Sequence, residues 1–359
     1  MEKKALIAMS GGVDSSVAAL LCQQAGFDCM GVTLKLYDNE DAGLPREKTC
    51  CSVDDVADAR SVAFRLGMPF YVFNFKEAFR REVMDRFVQA YERGETPNPC
   101  VDCNRYIKFE KLMRRGEEVG FPYIATGHYA RVEFDGATGR WLLKKGLDEN
   151  KDQSYMLWSL TQWELSRLLL PLGGLTKERV RQLAEEHGFL NARKRDSQDI
   201  CFVPDGDYAA FIRRYAGKAF PPGAFVGTQG QVYGQHKGII HYTVGQRKGL
   251  GLSFPQPMFV KELDVEKNRV VLAKAEELFS QEVIARDINL ISVESIPAPL
   301  RVKARVRYRQ KEQPATVLQT GPGELRVVFD QPQRAVTPGQ SLVLYDGDTV
   351  VGGGKIARK

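Results

Sequence analysis

No stretch of the 359-residue chain is apolar for long enough to cross a membrane as a helix. Met1-Glu2-Lys3-Lys4 leads into only five apolar residues, too few for the core of a secretion signal, so a cytoplasmic location is expected. There is no internal repeat and no low-complexity tract. Cysteine is present seven times, and an odd number argues against a disulfide framework. A single C-x-x-C occurs, with no second C-x-x-C and no histidine pair, so a closed zinc site lacks half its ligands. Neither sign of charge dominates. The net charge of +6 is weak evidence for a polyanionic partner, and only its distribution carries information. Hydrophobic content of 43% describes an ordinary globular protein, and the length calls for two or three domains.

What is present begins at residues 10–16, Ser-Gly-Gly-Val-Asp-Ser-Ser, between the apolar runs 5–9 and 17–21. That order reads strand, glycine turn, helix. It gathers backbone N–H groups and the positive end of a helix around one point, which is a phosphate site. Gly11 and Gly12 let an anion approach without a Cβ in the way. Ser10, Ser15 and Ser16 offer hydroxyl donors. No lysine follows the glycines, so this is not the loop of kinases and GTPases. Asp14 in such a place requires a bridging cation, for which Mg²⁺ is the expected ion. The heptapeptide resembles the pyrophosphatase loop of the ATP-pyrophosphatase superfamily, which cleaves ATP to AMP and pyrophosphate. The loop alone does not name the group that is adenylated.

Strand and helix alternate through the first two hundred residues. Residues 29–36 and 70–75 read as strands, 54–66 and 79–91 as helices ended by Gly67 and Gly94, and 123–126 as another strand. Residues 163–170 and 177–187 read as further helices. The expected fold is α/β, a doubly wound parallel sheet, Rossmann-like, with ligands at the carboxyl ends of its strands. From about residue 220 short strands alternate with Gly and Pro turns, which predicts two small β domains, the last a β-barrel. The expected division is 1–210, 211–278 and 279–359. Within 301–309 every odd position is basic and every even one apolar or aromatic, which predicts five cations on one face of a strand and a polyanion against them. Residues 245–251 add a flexible basic loop.

Two cysteine contexts look reactive. Residues 96–104 read Thr-Pro-Asn-Pro-Cys-Val-Asp-Cys-Asn, ahead of a helix and beside Arg105 and Lys108, a setting that lowers a thiol pKa. Cys201 follows Arg193, Lys194 and Arg195. Cys22 and Cys29 read as buried small hydrophobes.

Taken with 125–129, 150–155, 196–202, 243–251, 307–310 and 337–340, these motifs closely resemble the family of tRNA-specific 2-thiouridylases over essentially the whole chain. The resemblance implies sulfur transfer to the wobble uridine, position 34, of lysine, glutamate and glutamine tRNAs. It implies Cys103 as nucleophile and Cys201 as persulfide carrier, fed by a persulfide donor or relay protein. It implies ATP contacts at Ala8, Met9, Ser10, Gly11, Gly12, Val13, Asp14, Ser15, Ser16, Leu34 and Gly127. It implies tRNA contacts at Asn98, Pro99, Cys100, His128, Lys151, Asp152, Gln153, Arg307, Tyr308 and Gln340. A rival delivery route places a 4Fe–4S cluster on Cys100, Cys103 and Cys201. Cys50 and Cys51 have no assigned mechanism. Two remoter readings are an amidotransferase on the same loop and a non-enzymatic RNA-binding module. The first lacks a cysteine after Met1, and the second leaves two reactive cysteine contexts without a purpose.

Overall fold

The computed structural model describes residues 3–38, 53–194 and 200–358; Cys50, Cys51 and the start of the 196–202 motif lie outside them. The first strand, β1 (Lys4–Ala8), has Ala5, Leu6 and Ile7 fully buried. It is central in a sheet covered on both faces, and this explains an unbroken apolar run where an alternating one would mark a half-exposed strand. Helix α1 (Val13–Gln24) follows directly. Then come β2 (Asp28–Lys35), α2 (Val53–Arg65) and β3 (Phe70–Asn74). The predicted helix at 79–91 is α3 (Lys76–Phe79), a π-helical stretch (Arg80–Met84) and α4 (Asp85–Glu92). A second such helix comprises α5 (Pro99–Asp102), a π-helical segment (Cys103–Lys111) and α6 (Leu112–Glu118), and leads to β4 (Tyr123–Ala125).

A hairpin of β5 (Ala130–Asp135) and β6 (Arg140–Lys145) interrupts the α/β alternation. The helix expected over 163–170 is shorter. A Thr161–Glu164 capping box starts α7 (Gln162–Leu165), but Leu168 and Leu169 form β7 and pair with Ile124 and Ala125. Sheet-edge pairing outweighs local helical pattern there. Helices α8 (Lys177–Glu186) and α9 (Tyr208–Ala216) close the α-rich region. All strand pairs of the first sheet are parallel, in the order β3-β2-β1-β4-β7. Among the described residues, no helix is long and apolar enough to cross a membrane.

The remaining strands are β8 (Gly223–Gly227), β9 (Val232–His236), β10 (Phe259–Asp264) and β11 (Arg269–Ala273), which form one four-stranded sheet. They are followed by β12 (Phe279–Leu290), β13 (Leu300–Arg305), β14 (Gln313–Gly321), β15 (Glu324–Arg334), β16 (Ser341–Asp346) and β17 (Thr349–Ile356). These six close into a barrel, because β12 pairs with both β15 and β17. Closure removes the sheet edges. The β5–β6 hairpin joins β17 at the Thr349–Lys144 register point, so the first unit adds two strands to the barrel's sheet. One apolar cluster includes Phe87, Trp158, Phe202, Tyr242 and Val343, and the three sheets therefore share a core.

The basic stripe does not stand as five cations on a strand. β13 ends at Arg305. Arg301 makes a two-point ion pair with Asp330 at 2.8 and 2.7 Å, and Arg305 meets Glu312 at 2.7 Å. Arg307 turns inward to the Ala335 carbonyl and the Thr337 hydroxyl. Asp330 on β15 and Glu312 just before β14 answer charges that the linear pattern left unopposed. Lys303 and Arg309 remain exposed.

A candidate nucleotide loop beside a cysteine turn

Strands β1 and β4 are adjacent and in register, Ile7 opposite Ala125. Their following loops, residues 10–12 and 126–128, therefore emerge side by side at the carboxyl edge of the sheet. Gly11 has φ +76°, and a Cβ there would lie 2.4 Å from the Asp55 carbonyl oxygen. Only glycine fits. Gly12 is the N-cap of α1 and supplies no capping side chain, so the first-turn N–H groups are not closed by a cap. Ser15 and Ser16 are buried and donate to the Gly12 carbonyl at 2.9 and 3.1 Å. They shape the loop and do not face out as expected. Ser10 is the exposed hydroxyl. Its N–H donates to Ser15 Oγ at 3.2 Å. Behind the loop, Thr33 donates to the Met9 carbonyl at 2.7 Å and Leu34 is buried at the end of β2.

Gly127 lies hard against the loop. A Cβ on it would sit 2.7 Å from the Asp14 carbonyl carbon and 2.8 Å from Ser15 N. Asp14 accepts from Tyr129 Oη at 2.7 Å and from Lys177 Nζ at 2.7 and 2.8 Å. Asn191 donates to both the Gly11 carbonyl and Ser16 Oγ at 2.9 Å. Tyr129 stands in the 125–129 motif, whereas Lys177 and Asn191 belong to none of the sequence motifs. Lys177 carried one local signal: it opens a helix, where the macrodipole disfavours a cation. An uncapped helix start, two positions a Cβ would block and a partly exposed carboxylate fit a phosphate chain with a divalent cation on Asp14.

The cysteine turn is built by capping. Asn98 Oδ1 accepts from the Cys100 N–H at 3.2 Å, and Pro99 occupies the first helical position. Cys100 is exposed, Cys103 is buried and Cys201 is half-buried. Asp102 is buried between them in sequence and pairs with Lys355 of β17 at 2.9 Å. Arg105 reaches Asp287 of β12 at 2.7 Å. The cysteine turn is thus tied to the barrel. Cys201 packs against the same apolar cluster as Cys103, and its carbonyl accepts from Tyr37 at 2.6 Å. Among the described residues, no three His, Cys, Asp or Glu side chains gather as a metal-holding group. Cys100, Cys103 and Cys201 are not gathered as such a group.

The remaining motif residues join these two centres. His128 Nδ1 is 2.8 Å from Thr126 Oγ1. Burial, followed by the charge of Lys108, pushes its pKa down to about 3, so the ring is neutral near neutral pH. Part of its surface is open. Gln153 accepts from the Tyr129 N–H at 3.0 Å. Lys151 lies in the same turn, its N–H on the Asp148 carbonyl at 3.0 Å. The Asp152 carbonyl accepts from Tyr308 at 3.2 Å. Gln340 donates to the Thr96 carbonyl at 2.6 Å across 244 residues of sequence. A cavity of about 200 Å³ opens beside the cysteine turn, with Arg86, Arg93, Asn98, Asp102, Ser341 and Lys355 in its wall.

Residues 3–205 match the family described as tRNA methyl transferase HUP domain, residues 209–274 the tRNA methyl transferase PRC-barrel domain, and residues 280–356 the aminomethyltransferase beta-barrel domain. The chain is similar to the tRNA-specific 2-thiouridylase MnmA of Clostridioides difficile, 50% identical over 358 residues and covering 100% of this chain and 99% of that protein. It is 50% identical to the protein of that name from Acetivibrio thermocellus over 356 residues, 99% of each. It is 49% identical to the one from Carboxydothermus hydrogenoformans over 358 residues, 99% of this chain and 98% of that one.

Proposed function

The chain belongs to the tRNA-specific 2-thiouridylase family, and on that footing we propose that it adenylates the 2-oxygen of the wobble uridine in tRNA and replaces it with sulfur carried on Cys201. One observation carries the reading. The 126–128 turn packs on Asp14 through Gly127 and carries His128 on its next residue, so a residue assigned to the tRNA stands one position from the contact with the phosphate loop.

The 2-oxygen of uridine is a poor leaving group. Attack by that oxygen on the α-phosphorus of ATP expels pyrophosphate, which the N–H groups after Gly12 would receive. Asp14 would hold Mg²⁺ there, which supplies positive charge to the departing anion. The terminal sulfur of a Cys201 persulfide then attacks carbon 2, and AMP leaves. The Cys103 thiolate takes the inner sulfur of Cys201, a Cys103–Cys201 disulfide forms, and a reductant reopens it. The target base must leave the anticodon stack to reach this chemistry, and the stiff 97–103 turn is its wall. In this reading Asn98, Cys100, His128, Lys151, Gln153, Tyr308 and Gln340 form the tRNA face, and the buried Pro99 and Asp152 and the inward-turned Arg307 shape it from behind. Residues 1–210 act as the catalytic unit, 211–278 as a central β unit and 279–359 as the tRNA-binding barrel. The sulfur reaches Cys201 from a separate persulfide donor.

The test uses unmodified tRNA, ATP, Mg²⁺ and a persulfide donor, with pyrophosphate and 2-thiouridine counted together. The wild-type chain gives one of each per turnover. Cys201→Ser loses the protein-bound persulfide, whereas Cys103→Ser still loads sulfur and fails to release it. Thiolation by Cys201→Ser at the wild-type rate would overturn the assignment.

A further inference from the structure

We propose that Cys100 is the resolving thiol of the sulfur-transfer cycle: it attacks Cys103 of the Cys103–Cys201 disulfide and brings the oxidised pair to the surface as Cys100–Cys103. This role rests on the persulfide reading given above. The backbone places the two thiols together. The Cys103 N–H donates to the carbonyls of both Cys100 and Pro99, so residues 100 and 103 stand on one helical turn. An i→i+3 turn keeps its end Cα atoms within about 7 Å, the span that a disulfide bridges. The C-x-x-C spacing closes in this way in disulfide oxidoreductases.

Burial divides the pair. Cys103 is 8% exposed, whereas Cys100 is open to solvent. A disulfide from Cys103 to the half-buried Cys201 is therefore sheltered at its Cys103 sulfur from a bulky reductant, and exchange requires the attacking thiolate to reach the sulfur it attacks. Cys100 needs no such access, because it belongs to the same turn. That turn is fixed. Asn98 Oδ1 accepts from the Cys100 N–H at 3.2 Å, Pro99 holds the first helical position, and Lys355 of β17 grips Asp102 at 2.9 Å. A thiol held in this way acts at high effective concentration. The exchange balances by itself. The Cys100 thiolate bonds to the Cys103 sulfur, the Cys103–Cys201 bond breaks, and Cys201 departs as a thiolate ready for the next persulfide. An external dithiol then attacks the exposed Cys100 sulfur and releases the Cys103 thiolate. It supplies the two electrons by closing into its own disulfide once its second thiol displaces Cys100.

The test follows the disulfide. The full chain, loaded with sulfur by a persulfide donor and then freed of it, turns over once with unmodified tRNA, ATP and Mg²⁺ in the absence of reductant. The mixture is quenched in acid, alkylated with N-ethylmaleimide and mapped by mass spectrometry. Wild type should yield mainly the Cys100–Cys103 link with Cys201 alkylated, and Cys100→Ser should stop at Cys103–Cys201. With limiting dithiothreitol, later turnovers of Cys100→Ser should slow by at least about 10-fold relative to its own first turnover, and excess dithiothreitol should close that gap. A role confined to tRNA contact would change the first turnover and leave this ratio at the wild-type value. A wild-type chain that ends as Cys103–Cys201 with Cys100 alkylated overturns the proposal, as does an unchanged ratio in Cys100→Ser. 2-Thiouridine formed while all three cysteines remain open to alkylation overturns the persulfide reading itself, and the role of Cys100 falls with it.

Discussion

Replacing Gly127 by alanine tests whether the nucleotide loop and the 126–128 turn are one rigid unit. The added methyl would stand 2.7 Å from the Asp14 carbonyl carbon, 2.8 Å from Ser15 N and 2.9 Å from Asp14 Cβ. Two of these atoms are backbone, so no rotamer change relieves the contact. Ordinary van der Waals separation begins near 3.4 Å, so the two loops must part by about 0.7 Å at their closest point. Overpacking of this kind costs about 1–3 kcal/mol. Displacements approaching 1 Å near reacting atoms lower rates by up to about 100-fold. The expected result is a lower urea midpoint together with pyrophosphate release reduced at least ~10-fold at saturating ATP. Gly136→Ala is the control. It lies in the β5–β6 hairpin turn with nothing within 4 Å of a new Cβ, and it should be neutral in both assays. Wild-type stability and pyrophosphate release in Gly127→Ala would refute the rigid-unit reasoning, as would an equal loss in Gly136→Ala.

Lys355→Met strands the buried Asp102 carboxylate, whose side chain is 6% exposed, and should destabilise the chain by about 3 kcal/mol by denaturant unfolding. Adding Asp102→Asn should recover most of that loss; no recovery would mean the ion pair is not the cause. His128 has its pKa pushed down to about 3 in the fold, against an ordinary value near 6.5. The unfolded chain then binds the extra proton first, so this contribution is complete above about pH 6.5 and declines as pH falls towards 3. At pH 5 the loss from this group should reach about 2 kcal/mol, and His128→Gln should flatten the stability profile between pH 7 and 5. Burial pushes the thiols of Cys22 and Cys29 up to about 12 and about 11. At pH 8 iodoacetamide, followed by mass spectrometry, should label Cys100 and Cys201 well before either; early labelling of Cys22 would contradict its burial.

Local pattern in the chain was enough to locate strand, glycine loop and helix at residues 4–24, because each of those signals acts within one or two turns of backbone. It was enough for the parallel α/β order, whose buried strands read as apolar runs, and for the change to short strands after residue 220. The resemblance of separate motifs was enough to name a family. Local pattern did not say which side chains meet. The lysine on Asp14 comes from residue 177, the partner of Asp102 from residue 355 and the amide that grips Thr96 from residue 340. The 168–169 strand formed because a sheet edge was there to receive it, and the 130–145 hairpin became part of the barrel's sheet. The charges at 301–309 looked unopposed in sequence because Asp330 and Glu312 stand on other parts of the barrel. Charge pairing depends on distances of a few ångströms, and only the closed tertiary structure sets those between residues far apart in the chain.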